Sequence, residues 1–126
     1  MEDIPAAVID QAIDLITQIN DLLAPFMVQI TPKEHQSTRK MSDADGATVF
    51  SVLRFLANNP NYVGETFPKD QMIIANNNRS KIIKVKEHVN TVIVGLSNTE
   101  MVANHTCKSG IYQLYPSLTK DHELGF

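Results

Sequence analysis

The sequence predicts an all-α protein, an antiparallel four-helix bundle, and three observations carry that expectation. Apolar residues recur at spacings of three and four along most of the chain. No stretch alternates apolar and polar residues for long enough to make a strand. Proline, glycine and capping residues stand where helices of matched length would begin and end. With 126 residues the chain is the size of one domain, and 43% hydrophobic with 20% charged residues is an ordinary globular composition.

The first helix is expected over residues 4–26. Ile4, Val8, Ala12, Leu15, Ile19, Leu22 and Phe26 form its apolar stripe, widened by Ile9, Ile16 and Leu23. Asp3, Asp10, Asp14 and Asp21 fall in one column roughly opposite that stripe, at about 100° per residue. Pro5 suits a first turn, and Pro25 ends or kinks the helix.

"TPKE" restarts the chain as helix: Thr31 as N-cap, Pro32 at the first helical position, and Glu34 reaching back. This second helix is expected to run to Asn58. "SDADG" within it is poor helix sequence, because Gly46 costs about 1 kcal/mol against Ala, so a kink or short break is expected near 42–46. "NNPNYVGETFP" over residues 58–68 is the clearest loop. A third helix starts near Pro68 and carries Ile82, Val85, Val89, Val92 and Leu96 as its seam. The same rhythm continues through Thr99, Ala103, Cys107, Ile111 and Leu114. Residues 117–126 read as a loosely ordered tail, with Leu118, Leu124 and Phe126 as docking side chains.

"VGLSNTEM" at 94–101 decides the architecture. Gly95 ends helices well, and Ser97 with Glu100 makes a capping box. One helix from 68 to 115 would be about 70 Å long, against a radius of gyration near 14 Å for a compact domain of this size, and would need a partner chain. A turn at Gly95–Ser97 yields four helices of similar length, and the bundle follows. The alternative is an elongated three-helix arrangement with one long C-terminal helix.

From residue 31 onward the chain resembles a family of small, functionally uncharacterised, all-helical bacterial proteins. The likeness lies in "TPKEH" at 31–35, "RKMSD" at 39–43, "NNPNYV" at 58–63, "NT" at 90–91, "GLSN" at 95–98 and the closing Phe126. The chain departs where the family pattern has Gly and this sequence has Ser42, and where it has Lys and this sequence has Ala44; the closing segment is also shorter. The resemblance implies an α-helical bundle and carries no activity with it.

Composition and spacing exclude several functions. A net charge of −3 gives no strong attraction to nucleic acid. Arg79, Lys81, Lys84 and Lys86 spread around a helix rather than lining one groove, with no stacking aromatics between them. No window is apolar enough to cross a membrane. The acidic N-terminus does not read as a signal peptide, and the single Cys107 fits a reducing compartment, so a cytoplasmic location is expected.

No Glu stands three residues before a His, so the helical di-iron pattern is missing, and no metal or other cofactor is expected. "DADG" at 43–46 lacks the Glu that a calcium loop needs six residues after its Gly. His105 and Cys107 diverge by about 200° on a helix and cannot share a proton; Cys107 is expected to serve as a small packed hydrophobe.

Two functional readings remain. One is a non-enzymatic interaction or scaffold module, self-associating through helix faces, with the acidic face of Asp3, Asp10, Asp14 and Asp21 open to a protein partner. Residues 1–30 carry five acids and no base; residues 31–126 carry eleven bases and nine acids. The other is a small-ligand binder or enzyme with a bundle-core pocket lined by Met101, His105, Tyr112 and His88.

Overall fold

A computed structural model describes the backbone of residues 1–120 and the side chains of residues 1–117. Every regular element in it is helical: α1 (Ala6–Leu23), a 3₁₀ turn (Ala24–Phe26), α2 (Pro32–Ser37), α3 (Asp43–Asn58) and α4 (Lys69–Lys120). The chain forms two units, Met1–Ser42 and Asp43 onward.

In the first unit α1 begins after Pro5, which sits outside the helix as its N-cap. Pro25 tightens the end into the 3₁₀ turn, closed by Met27 N–H donating to the Ala24 carbonyl at 3.2 Å. α2 starts as its sequence requires: Pro32 occupies the first turn and the Glu34 amide donates to Thr31 Oγ1 at 3.1 Å.

α2 is far shorter than the single helix expected over 31–58. Ser37 Oγ, Thr38 Oγ1 and Thr38 N–H all donate to the Glu34 carbonyl, and Thr38 turns extended. Those hydroxyls close the last turn locally, which is how Ser and Thr compete with helix continuation. The break therefore lies over residues 38–42, just ahead of the "DADG" stretch. Asp43 and Asp45 belong instead to the first turn of α3, where negative charge meets the positive end of the helix dipole.

In the second unit α3 and the start of α4 pack as a helical hairpin. Gly46, Val49, Leu53 and Leu56 of α3 are the covered positions, matched on α4 by Lys69, Met72, Asn76 and Arg79. Both sets repeat at spacings of three and four, the signature of one helix face. Gly46 permits close approach at the far end: a Cβ there would lie 3.0 Å from Arg79 Nη1. Leu56, 3% exposed, is the one buried residue among those described.

The connection between α3 and α4 folds back on α3. Asn59 Nδ2 donates to the Phe55 carbonyl at 2.9 Å, Asn59 N–H to Leu56 at 3.3 Å and Tyr62 N–H to Asn59 at 3.1 Å. These satisfy carbonyls that the helix end leaves open. Tyr62 meets Phe55 edge to face, centroids 4.9 Å apart.

The expected turn at Gly95–Ser97 is absent, and this corrects the four-helix reading. α4 runs unbroken through it for 52 residues, about 78 Å at 1.5 Å per residue. A turn would strip hydrogen bonds from both flanking helix ends, whereas Gly95 within a helix costs only about 1 kcal/mol. Ser97 and Glu100 lie inside the helix instead of capping one, and Thr99 between them donates its Oγ1 hydrogen to the Gly95 carbonyl at 2.8 Å. The alternative with one long C-terminal helix fits. α4 also carries Pro116 and continues to Lys120, so the helix enters the segment expected to be a tail. The docking proposed for Leu118, Leu124 and Phe126 concerns side chains outside the described residues.

Candidate interaction surface

The apolar seam of α4 is left uncovered by its own unit. Ile82, Val85, Val89, Val92 and Leu96 are all exposed, Val92 at 58% and Leu96 at 60%. They lie on one side of the helix, rotated by roughly 150° from the Lys69–Arg79 stripe that receives α3. The hairpin therefore occupies one face of the first fifth or so of α4 and leaves the seam free.

Two threonines on and beyond the seam are already satisfied by their own helix. Thr99 Oγ1 bonds to Gly95, as above, and Thr106 Oγ1 donates to the Val102 carbonyl at 3.1 Å. Each can be covered by another surface without stranding a hydroxyl, which would otherwise cost about 1–3 kcal/mol. Cys107, expected to be packed, is an exposed free thiol, because no element of its unit lies over that part of α4.

Met101, His105 and Tyr112 share one face of α4, with Lys108 Nζ 5.7 Å from the centre of the Tyr112 ring. That face is open: Met101 is 69% exposed, and His105 and Tyr112 are exposed as well. His88 stands 13 residues before Met101 on another face, so the four residues do not converge. The ring of His88 is held by its own helix. Its Nδ1 lies 2.8 Å from the Lys84 carbonyl, which can only accept, so Nδ1–H is the donor in this contact.

In the first unit α1 has the same character. Val8, Ile9, Leu15, Ile16, Ile19 and Leu22 are exposed along one broad side, and Asp10, Asp14 and Asp21 are exposed on the other.

One concavity escaped the sequence reading. Ala47, Ser51, Phe55, Leu56, Val63 and Phe67 line an open groove of about 630 Å³ between α3 and the connecting loop. It contains no Asp, Glu, His, Lys or Arg side chain. Its signal in the sequence is the set of aromatics at and inside the "NNPNYVGETFP" loop, Phe55, Tyr62 and Phe67, which only the loop's return onto α3 brings together. Among the described residues no three His, Cys, Asp or Glu side chains are placed to hold a metal ion. No described helix is long and apolar enough to cross a membrane.

Comparison of the chain with models of protein families, with curated proteins and with solved structures gives no match.

Proposed function

We propose that this chain is a non-enzymatic helical interaction module that works by self-association through its helix faces. The single observation behind the reading is the imbalance between seam and core: long apolar stripes on α1 and α4, and one buried side chain among the described residues. An exposed contiguous apolar surface of this kind marks an interaction site in a folded protein. A helix of 52 residues with no partner along most of its length is held by few tertiary contacts, and tertiary burial is what stabilises most protein helices. The acidic column of Asp10, Asp14 and Asp21, with Asp3 ahead of the helix rather than on it, stays outside such contacts and offers a docking face to a basic partner protein. The test is the mass in solution by sedimentation equilibrium: a stable oligomer supports the reading, and a monomer at all concentrations ends it.

The groove on α3 favours a second reading, a binder of a small apolar ligand, since it combines aromatic walls with a volume in the range of ligand pockets. A melting-temperature screen against small apolar metabolites tests it. A ligand that raises the melting point of a monomeric protein by mass action would favour this reading over self-association.

A further inference from the structure

We infer that the occupant of the α4 seam is the α4 of a second copy, running antiparallel and centred at Val94–Gly95. This rests on the self-association just proposed and goes beyond it by naming the element, the direction and the register.

The seam has coiled-coil spacing. Ile82, Val85, Val89, Val92, Leu96, Thr99 and Ala103 alternate steps of three and four over 22 residues, the a and d positions of a seven-residue repeat. Ile82, Val89, Leu96 and Ala103 take position a; Val85, Val92 and Thr99 take position d. The e positions on one flank are then Arg79, Lys86, Ile93 and Glu100. The g positions on the other flank are Lys81, His88, Gly95 and Val102.

Charge selects the direction. The first half of α4, residues 69–94, holds five bases (Lys69, Arg79, Lys81, Lys84, Lys86) against Asp70 and Glu87. A parallel pair in register stacks this half on itself and sets Lys81 at g against Lys86 at e of the other copy, on both flanks. An antiparallel pair sets e against e and keeps the basic halves apart.

Length selects the register. α4 runs from Lys69 to Lys120, so its midpoint falls between Val94 and Gly95. Of the antiparallel registers that mesh a with d, one centred at Val94 overlaps the two helices end to end. It layers Val92 on Leu96 of the second copy, Val89 on its Thr99 and Val85 on its Ala103. The Thr99 hydroxyl is already bonded to Gly95, so that layer buries a methyl group rather than a free donor. The same register sets Lys86 beside Glu100 of the second copy, and by symmetry Glu100 beside its Lys86. The face that receives α3 lies on another side of α4, with Arg79 alone bordering both.

Reversing the charge at one flank separates the two directions, because it has opposite signs in them. In the antiparallel pair Lys86→Glu turns two attractive contacts into two repulsive ones. In the parallel pair it turns two repulsive contacts into attractive ones. Dimer dissociation constants are measured by sedimentation equilibrium at low salt on the full chain, with helicity by circular dichroism confirming that each variant is folded. The expected result is a roughly tenfold weaker dimer for Lys86→Glu and recovery to near the parent value for Lys86→Glu with Glu100→Lys. Lys86→Gln lies between, and Val92→Asp abolishes the dimer. A tighter dimer for Lys86→Glu, or no recovery in the double variant, overturns the antiparallel assignment while self-association stands. A dimer indifferent to Val92→Asp overturns α4 as its site. A parent chain that stays monomeric defeats the self-association reading itself, and this inference with it.

Discussion

Replacing Gly95 by Ala is expected to stabilise the protein. In α4 Gly95 lies 26 residues from Lys69 and 25 from Lys120, well inside the helix, and a Cβ built on it meets nothing within 4 Å. Within one chain no clash opposes the change, so the intrachain effect reduces to backbone preference, and the fixed protein concentration holds any contribution from pairing at the Gly95 flank constant in the comparison. Glycine in a helix interior is about 0.8–1.0 kcal/mol less favourable than alanine. A turn at the same place predicts the opposite sign. Glycine would there occupy the left-handed conformation that follows a helix end, and a Cβ in that conformation costs about 1–2 kcal/mol. The two structures thus differ by roughly 2 kcal/mol in what the same methyl group does, using those propensities. Urea denaturation followed at 222 nm, at one fixed protein concentration, reads the difference. Gly110→Ala is the control, since its Cβ also meets nothing within 4 Å and it lies in the same helix. Equal gains of about 1 kcal/mol at both positions are expected. A loss at Gly95 beside a gain at Gly110 would refute the continuous helix.

Three further substitutions probe the local packing. Leu56→Ala removes the one buried side chain among the described residues and is expected to cost about 2–3 kcal/mol, the lower part of the range for core leucines because the site can partly collapse; urea unfolding measures it, with hydrogen exchange in α3 reporting the same loss. Gly46→Ala places a Cβ 3.0 Å from Arg79 Nη1, the movable end of a long side chain, so the helix-propensity gain survives in part and a stabilisation of about 0.5 kcal/mol is expected in the same titration. Thr31→Ala deletes the acceptor of the Glu34 amide and should destabilise α2 by about 1 kcal/mol, read as faster exchange of that amide, while Thr31→Ser retains protection.

Much of the fold was legible because it is written in local chemistry. Thr31 and Pro32 start α2 through one hydroxyl and one fixed φ angle, Pro25 ends α1, and the Asn and Pro residues after Asn58 close α3, all within a few residues of sequence. Where two local signals compete, the sequence cannot rank them. "SNTE" has the same four letters as a helix start, yet Thr99 spends its hydroxyl on the Gly95 carbonyl and the helix passes through. The break expected near 42–46 lies over 38–42 because Ser37 and Thr38 terminate α2 first, and Gly46 serves the approach of Arg79. The groove under Phe55, Tyr62 and Phe67 depends on a loop folding back, which spacing alone does not encode. Met101, His105 and Tyr112 fall on one face of any continuous helix; grouping His88 with them required a bundle to bring separate turns of helix together.

The unbroken course of α4 underlies the self-association inferred above, and a distance across Gly95–Ser97 tests it. In a Cys107→Ala background, spin labels at Lys84→Cys and Lys108→Cys flank Leu96 by 12 residues on either side. Labelled protein is diluted into excess unlabelled protein so that only pairs within one chain are read. Pulsed electron–electron resonance should give a separation of about 36 Å, which is 24 residues at 1.5 Å each. A turn would set the two labelled positions level on neighbouring helices whose axes lie about 8–10 Å apart, and a distribution near that spacing would contradict the long helix.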